Sequence, residues 1–329
     1  MTLKDIKRIG VFTSGGDAPG MNAAIRAVVR TAIYKNIAVT GIYHGYQGMI
    51  EGSFIDMNRR SVSSIIQKGG TILKSARCLE FKTKEGRKQA YDNIKAQGID
   101  ALVAIGGDGT FTGADFFSKE FDIPVMCIPG TIDNDLYGTD YTLGYDTANN
   151  TVIEAIDKIR DTASSHSRVF FVEVMGRDSG CIALNAGVGG GAESILLPEL
   201  NSGIENLIEE LEFAEARQKT SMIVIIAEGD KNGGAYNVAK IVKEKINHLD
   251  IKVSILGHLQ RGGSPSSFDR VLATRMGYTA VNELLKGNTR GTIGIRGNQM
   301  IITPLEEALN NKEFKLDDEL LEIANIMNK

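Results

Sequence analysis

The 329-residue sequence contains no run of about 18 apolar residues, so it offers no segment able to cross a membrane as a helix. Its first residues, Met-Thr-Leu-Lys-Asp-Ile-Lys-Arg, carry charge where a secretory signal needs an apolar stretch. Cysteine is sparse: Cys78, Cys127 and Cys181 are odd in number and form no Cys-x-x-Cys pair. That argues against a disulfide framework and against a zinc site, and a reducing, cytoplasmic setting is the expectation. A large excess of one charge is missing too. A net charge of −4 gives no general pull toward nucleic acid. There is no low-complexity linker, no short repeat and no Gly-x-x-x-x-Gly-Lys-Ser/Thr, which disfavours the P-loop NTPases.

What is present is an ordinary globular composition with 42% hydrophobic and 24% charged residues, in a chain long enough to favour two packed domains over one. Strands are expected at 7–13, 37–43, 101–106, 123–128, 168–174, 193–198, 221–228 and 252–257. Amphipathic helices are expected at 21–35, 61–67, 84–97, 145–163, 204–218, 236–247 and 268–286. This alternation predicts an α/β protein made of right-handed βαβ units and parallel sheets. A tight boundary is expected near 140–146, where the polar stretch Tyr137-Gly-Thr-Asp-Tyr-Thr-Leu-Gly precedes a long helix. Ligands of open α/β sheets lie beyond the carboxyl ends of strands, so the strand exits are where function is sought.

Glycine is the telling count, 37 residues in clusters. The first exit, Thr13-Ser-Gly-Gly-Asp-Ala-Pro-Gly20, leads into the helix Met21-Asn-Ala-Ala-Ile-Arg26. Paired glycines let backbone approach an anion and the helix start offers N–H groups, although a tight turn is the plain alternative. The exit Gly106-Gly-Asp-Gly-Thr110 sets an acid among glycines. A carboxylate beside phosphates is repulsive unless a divalent cation intervenes, so Asp108 implies Mg²⁺. Gly187-Val-Gly-Gly-Gly-Ala192 fits the loose dinucleotide fingerprint, but it follows a helical pattern rather than a strand and is not read as a nicotinamide site. The third exit, Pro129-Gly-Thr-Ile-Asp-Asn-Asp135, crowds two acids into a sequence that would also suit a solvated turn. If Asp133 meets a substrate hydroxyl and Asp108 holds magnesium, these loops supply a base, a metal and cradled phosphates, which phosphoryl transfer requires. Further along, Ser164-Ser-His-Ser-Arg168, Met175-Gly-Arg177, Glu228 and Gly257-His-Leu-Gln-Arg-Gly-Gly263 sit at strand ends. Dispersed arginines suit a dianionic phosphate, although each alone is more often a surface ion pair.

Together, Thr13-Ser-Gly-Gly-Asp-Ala-Pro-Gly-Met-Asn, Gly106-Gly-Asp-Gly, Pro129-Gly-Thr-Ile-Asp-Asn-Asp, Val174-Met-Gly-Arg and Gly257-His-Leu-Gln-Arg-Gly-Gly-Ser-Pro resemble the bacterial ATP-dependent 6-phosphofructokinases. The resemblance runs in the same order from residue 7 to about 300, and the length fits one bacterial-type copy. It implies two Rossmann-like parallel-sheet domains, three-layer αβα: 1–143 plus about 259–309 for ATP, and 144–258 plus about 310–329 for the sugar phosphate. Gly16, Arg77, Cys78, Gly107, Asp108, Gly109 and Thr110 would line the ATP site, with Asp108 toward magnesium. Asp133 would take the proton of the C1 hydroxyl of fructose 6-phosphate, beside Thr131 and Ile132, with Asp135 a second acid near the metal. Met175, Gly176 and Arg177 would contact the sugar phosphate and the transferring group, while Glu228, His258 and Arg261 would hold the sugar. Arg168 would reach in from a neighbour, which implies a homo-oligomer, by resemblance a tetramer. Lys252 stands where the family usually has an arginine that also crosses over; it keeps the charge and loses the planar fork.

The resemblance also implies an effector site for a nucleotide diphosphate or phosphoenolpyruvate, and hence allosteric control. Arg26, Arg30, Arg59, Arg160, Gly191, Glu193, Arg217 and Lys219 match it. Arg60 stands where an aromatic can stack, and Thr220 and Ser221 where some members have Lys-His. Pyrophosphate-using relatives carry Asp at the position of Gly109 and Lys at that of Gly130; both are glycine here, which favours ATP. The rivals are a pyrophosphate-dependent enzyme, an NAD kinase, which shares only Gly-Gly-Asp-Gly, and a sugar-phosphate sensor that has lost its chemistry. A sensor should have lost Asp133 or Asp108, and both are retained.

Overall fold

A computed structural model describes residues 6–164, 168–200, 203–219, 221–311 and 316–327. In chain order the elements are β1 (Arg8–Thr13), α1 (Met21–Tyr34), β2 (Ala38–Ile42), α2 (Tyr46–Glu51), β3 (Phe54–Met57), α3 (Lys84–Ala96), β4 (Ala101–Gly106), α4 (Asp108–Phe121), β5 (Val125–Pro129), α5 (Tyr145–Ser164) and β6 (Arg168–Val174). They continue with α6 (Cys181–Gly189), β7 (Ser194–Leu196), α7 (Ile204–Ala216), β8 (Ser221–Ala227), α8 (Gly234–Lys245), β9 (Ile251–Ile255), α9 (Ser267–Leu285), β10 (Arg290–Arg296), β11 (Gln299–Pro304), α10 (Leu305–Asn310) and α11 (Asp318–Met327).

The chain divides into two compact units. The first takes the residues up to Ile132, then Leu136–Asp146 and the stretch beginning at Arg261; the second takes Asp133–Asp135, Thr147–Gln260 and the C-terminal stretch.

The first unit is built on a seven-stranded sheet in the order β11-β10-β5-β4-β1-β2-β3. Its strands alternate faces. Phe12, Ile42, Leu102, Ala104, Val125 and Cys127 join one core with Phe81, Ile94, Phe111 and Phe117, while Ile9, Val11, Val103, Ile105, Met126 and Ile128 are buried on the other face, where α1 and α9 pack. Helices on both faces of a sheet produce the expected three layers. The sheet is not wholly parallel, however: β3 runs antiparallel to β2 and β11 antiparallel to β10. Residues 297–298 alone join β10 to β11, and 43–53, with only the short α2, join β2 to β3, so in both pairs the chain returns beside the strand it left.

The second unit carries a four-stranded, all-parallel sheet, β7-β8-β6-β9. Val169, Phe171, Val224 and Ile226 pack with Leu207 and Leu211 of α7 and Val238 and Val242 of α8.

The helix expected over 61–67 does not form; that stretch is a succession of turns. Asn58 accepts from the backbone N–H groups of Arg60 and Ser61 through its side-chain oxygen, and Ser64 sits at φ +54°. Local side-chain bonds of this kind compete with helical ones. The 187–192 glycine run closes α6 and its following turn, as its helical setting suggested.

Candidate active site

In the first unit, β1, β4 and β5 are parallel neighbours, so the exits that begin at Ser14, Gly107 and Gly130 share one rim. Ser14 N–H donates to Ile105 O at 3.0 Å, and Gly130 N–H to Gly106 O at 3.0 Å, tying the loops together. Helix α4 begins at Asp108 itself, with Gly107 as its cap and no side chain closing it. Its positive end therefore faces outward, as an anion site needs. Thr110 is 3% exposed, and its Oγ1 finds no hydrogen-bond partner among the described residues. A Cβ on Gly106 would stand 2.3 Å from that oxygen, and one on Gly15 would stand 3.6 Å from it, so glycines enclose a buried hydroxyl beside a helix start. Such a donor suits a phosphate oxygen. No cluster of three or more His, Cys, Asp or Glu that could hold a metal occurs among the described residues. Asp108 is exposed at the start of α4. That fits Mg²⁺, which is commonly held by one or two carboxylates together with substrate phosphates.

Other nucleotide-site candidates are placed less uniformly. Arg77 is exposed. Cys78 packs against the first unit's core, and burial pushes its thiol up from the ordinary range. Gly16 lies against Arg261: a Cβ there would be 2.4 Å from Arg261 Nη1, which donates to Asp17 O at 3.2 Å. Arg261, expected at the sugar, thus sits on the loop expected at the nucleotide.

Pro129 ends β5, Gly130 bridges Leu143, and the chain then runs irregularly, bending at Ile132 and Asp133, with Asn134 at φ +52°, a conformation Asn tolerates better than most residues. Thr142 Oγ1 donates to Thr131 O at 2.6 Å, and Thr131, Ile132 and Asp133 are buried while Asp135 is exposed. A turn that used its aspartates only for solvation would expose both. Asp133 is instead 2% exposed, with Oδ2 3.5 Å from Arg177 Nε.

In the second unit Met175 and Gly176 are buried at the exit of β6, and Arg177, Glu228 and His258 are exposed at the exits of β6, β8 and β9. Glu228 Oε1 accepts from Gly176 N–H at 3.3 Å and Arg177 N–H at 2.8 Å, so it supports the turn as well as facing solvent. Arg168 and Lys252 stand at the opposite, amino ends of β6 and β9. A residue absent from the sequence reading joins them: Asp250 bonds Arg168 Nε at 2.9 Å and Lys252 Nζ at 2.7 Å. The Lys252 ammonium, then the Arg168 guanidinium, hold its carboxyl below the usual range.

Of the effector candidates, Arg26 and Arg30 lie one turn apart on α1, where burial and the neighbouring Arg30 lower the Arg26 pKa. Arg59 and Arg60 lie in the turns after β3. Arg160 Nη2 donates to the carbonyls of Gly190 and Gly191 at 2.5 and 2.8 Å. Buried Glu193 accepts from Ile223 N–H at 2.5 Å and pairs with Lys219 at 3.5 Å, while Arg217 stacks on Phe213 at 4.1 Å. Ser221 opens β8; Thr220 and residues 165–167 lie outside the described residues.

Phosphate-suited loops on the carboxyl rim of a parallel sheet, without a P-loop, mark an α/β phosphotransferase. A profile of the phosphofructokinase family matches residues 8–284. An ATP-dependent 6-phosphofructokinase 2 of Bacteroides thetaiotaomicron is 53% identical over 95% of this chain and 96% of its own length. The ATP-dependent 6-phosphofructokinase of Cytophaga hutchinsonii is 52% identical over 98% of both chains. Saccharomyces cerevisiae phosphofructokinase superposes with a TM-score of 0.89 at 38% identity, covering 98% of this chain, which spans 47% of the yeast chain. A pyrophosphate-dependent phosphofructokinase from Marinobacter aquaeolei, at 23% identity, 98% of this chain and 91% of its own with a TM-score of 0.83, shares the fold. The chain belongs to the phosphofructokinase family.

Proposed function

We propose that the protein transfers the γ-phosphoryl group of ATP to the C1 hydroxyl of fructose 6-phosphate, giving fructose 1,6-bisphosphate and ADP. The observation that carries this reading is Asp133, a nearly buried carboxylate beside an exposed arginine on a strand-exit turn, in a chain more than half identical to relatives named ATP-dependent 6-phosphofructokinase. Asp133 accepts the hydroxyl proton; the freed oxygen bonds the γ-phosphorus as the bond to the β–γ bridging oxygen breaks, and the electron pair leaves on ADP. Thr131 and Ile132 line the sugar beside Asp133, and Asp135 is a second acid near the metal. Arg177 offsets charge on the transferring group, with Met175 and Gly176 beside it, and Glu228, His258 and Arg261 hold the sugar phosphate. Gly16, Arg77, Cys78, Gly107, Gly109 and Thr110 bind ATP. Magnesium at Asp108 would neutralise phosphate charge.

Arg168 and Lys252 serve a neighbouring subunit's 6-phosphate in a homotetramer; their place at the amino ends of their strands, away from Met175 and Glu228, supports that assignment. Lys252→Ala is expected to weaken fructose 6-phosphate binding about tenfold or more, as loss of a charge-assisted bond does. Lys252→Arg should hold or tighten it. Calorimetric titration of both variants decides this, and normal binding by the alanine variant removes the position from the site.

No helix among the described residues is long and apolar enough to cross a membrane. The cytoplasm is proposed as the enzyme's compartment on the sparse, unpaired cysteines. The effector candidates are assigned to a nucleotide diphosphate or phosphoenolpyruvate. One coupled assay tests the whole reading: fructose 6-phosphate and Mg²⁺ with ATP or pyrophosphate, each with and without ADP or phosphoenolpyruvate. Turnover with ATP and not pyrophosphate is expected, with a sugar-phosphate midpoint that either effector shifts at least twofold and that Arg160→Ala no longer shifts. Turnover with pyrophosphate alone overturns the donor, and an immobile wild-type midpoint overturns control by these effectors.

A further inference from the structure

The turn that carries Arg177 is held by side chains from elsewhere in the second unit. Gly176 has φ +148° and Arg177 φ +53°, and a Cβ on Gly176 would meet Ser179 O at 2.4 Å. Only glycine fits there. Successive N–H groups in such backbone form a concavity that gathers anions. Here protein oxygens occupy it: Glu228 Oε1 takes the Gly176 and Arg177 N–H groups, and Gln260 Oε1 takes Met175 N–H at 2.8 Å. Gln260 is fully buried, the only buried residue of the 3-10 turn Gly257–Arg261, and reaches Met175 across 85 residues of sequence. Beyond the turn, Arg177 Nε lies 3.5 Å from Asp133 Oδ2.

We propose that Gln260 is a positioning residue for the transfer step: its Oε1 fixes Met175, and through that turn sets the Arg177 guanidinium against Asp133. The proposal rests on the assignment of Asp133 and Arg177 to the reaction. A glutamine that only completes the core would cost stability when lost; one that positions Arg177 costs turnover, and only while Arg177 is there to be positioned. Gln260→Met keeps the side-chain length, removes the acceptor and strands a buried donor. It should lower kcat about 10- to 100-fold, the equivalent of one unsatisfied buried hydrogen bond, with the KM for ATP within about twofold of wild type. Gln260→Glu restores an oxygen at the same reach and should recover most of that loss.

The decisive measurement is a double-mutant cycle on kcat, with melting temperatures recorded for every variant. In an Arg177→Ala background, Gln260→Met should cost less than about twofold, because the group it acts through is gone. An equal loss in both backgrounds, or a folded Gln260→Met enzyme with wild-type kcat, overturns the proposal. If Gln260→Met does not fold, Gln260→Asn, which falls a methylene short of Met175, enters the same cycle and is read the same way. Wild-type protein without activity overturns the assigned reaction and this proposal together; active wild type with additive losses overturns this proposal alone.

Discussion

Asp133→Ser should lower kcat about 10²- to 10⁴-fold, the contribution general-base catalysis makes, with a smaller change in fructose 6-phosphate affinity. Serine keeps a polar atom near the turn but cannot take a proton at neutral pH. The fold should survive, because Arg177, whose side chain is 64% exposed, remains solvated when its partner is removed. The converse change, Arg177→Ala, leaves a buried carboxylate without its guanidinium and should be harder on stability. Steady-state kinetics with a melting curve separate these effects. A kcat within threefold of wild type would return Asp133 to the role of a turn residue.

Gly109→Asp should nearly abolish use of ATP in a protein that still folds. Gly109 lies in the first turn of α4, and an added Cβ would meet no atom within 4 Å, so the side chain enters open space. An acid near a helix start is favourable to the helix by about 0.3–1 kcal/mol. The same carboxylate would face nucleotide phosphates: like charges about 4 Å apart repel by about 4 kcal/mol at an effective dielectric of about 20. A rise of about 100-fold or more in the KM for ATP is expected, with the melting temperature held. An unchanged KM in folded protein would contradict the nucleotide site. Gly130 is the opposite case. A Cβ there would meet Met21 Cε at 3.1 Å and Ile105 Cγ2 at 3.2 Å, so any side chain at this position would press on buried neighbours.

Features with local causes were legible in the sequence. The buried central strands β1, β4, β5, β6 and β8 announce themselves as apolar runs, and the glycine and aspartate clusters at their ends mark the candidate site. Where tertiary contacts decide, the sequence was mute. Strand β3 is four residues long and buries only Met57, and β10, Arg-Gly-Thr-Ile-Gly-Ile-Arg, alternates glycine into its pattern. Helix α4 opens on Asp-Gly-Thr, which reads as loop; its Gly113 admits the Tyr46 ring, to which a Cβ would come within 2.9 Å. Tyr46 then donates to Thr110 O at 2.6 Å, steadying the first turn from 64 residues away. Asp250 and Gln260 escaped for the same reason. Gln260 acts on Met175, 85 residues away, and Asp250, although two residues from Lys252, takes its role only from joining Lys252 to Arg168, 82 residues away.

The strand order of the first sheet also sets a timetable for synthesis. Strand β5 has β4 on one side from early on, but its other neighbour is β10, which follows every strand of the second unit in the chain. At about 5–20 residues per second, translation leaves the outer edge of Val-Met-Cys-Ile-Pro unpaired for on the order of ten seconds or more. An apolar strand with open N–H and C=O groups is a template for pairing with another nascent chain. The second unit, all of whose strands lie between residues 168 and 255, closes its sheet before the first can. The sheet begun first is therefore completed last, and the nascent enzyme is most vulnerable to aggregation along β5.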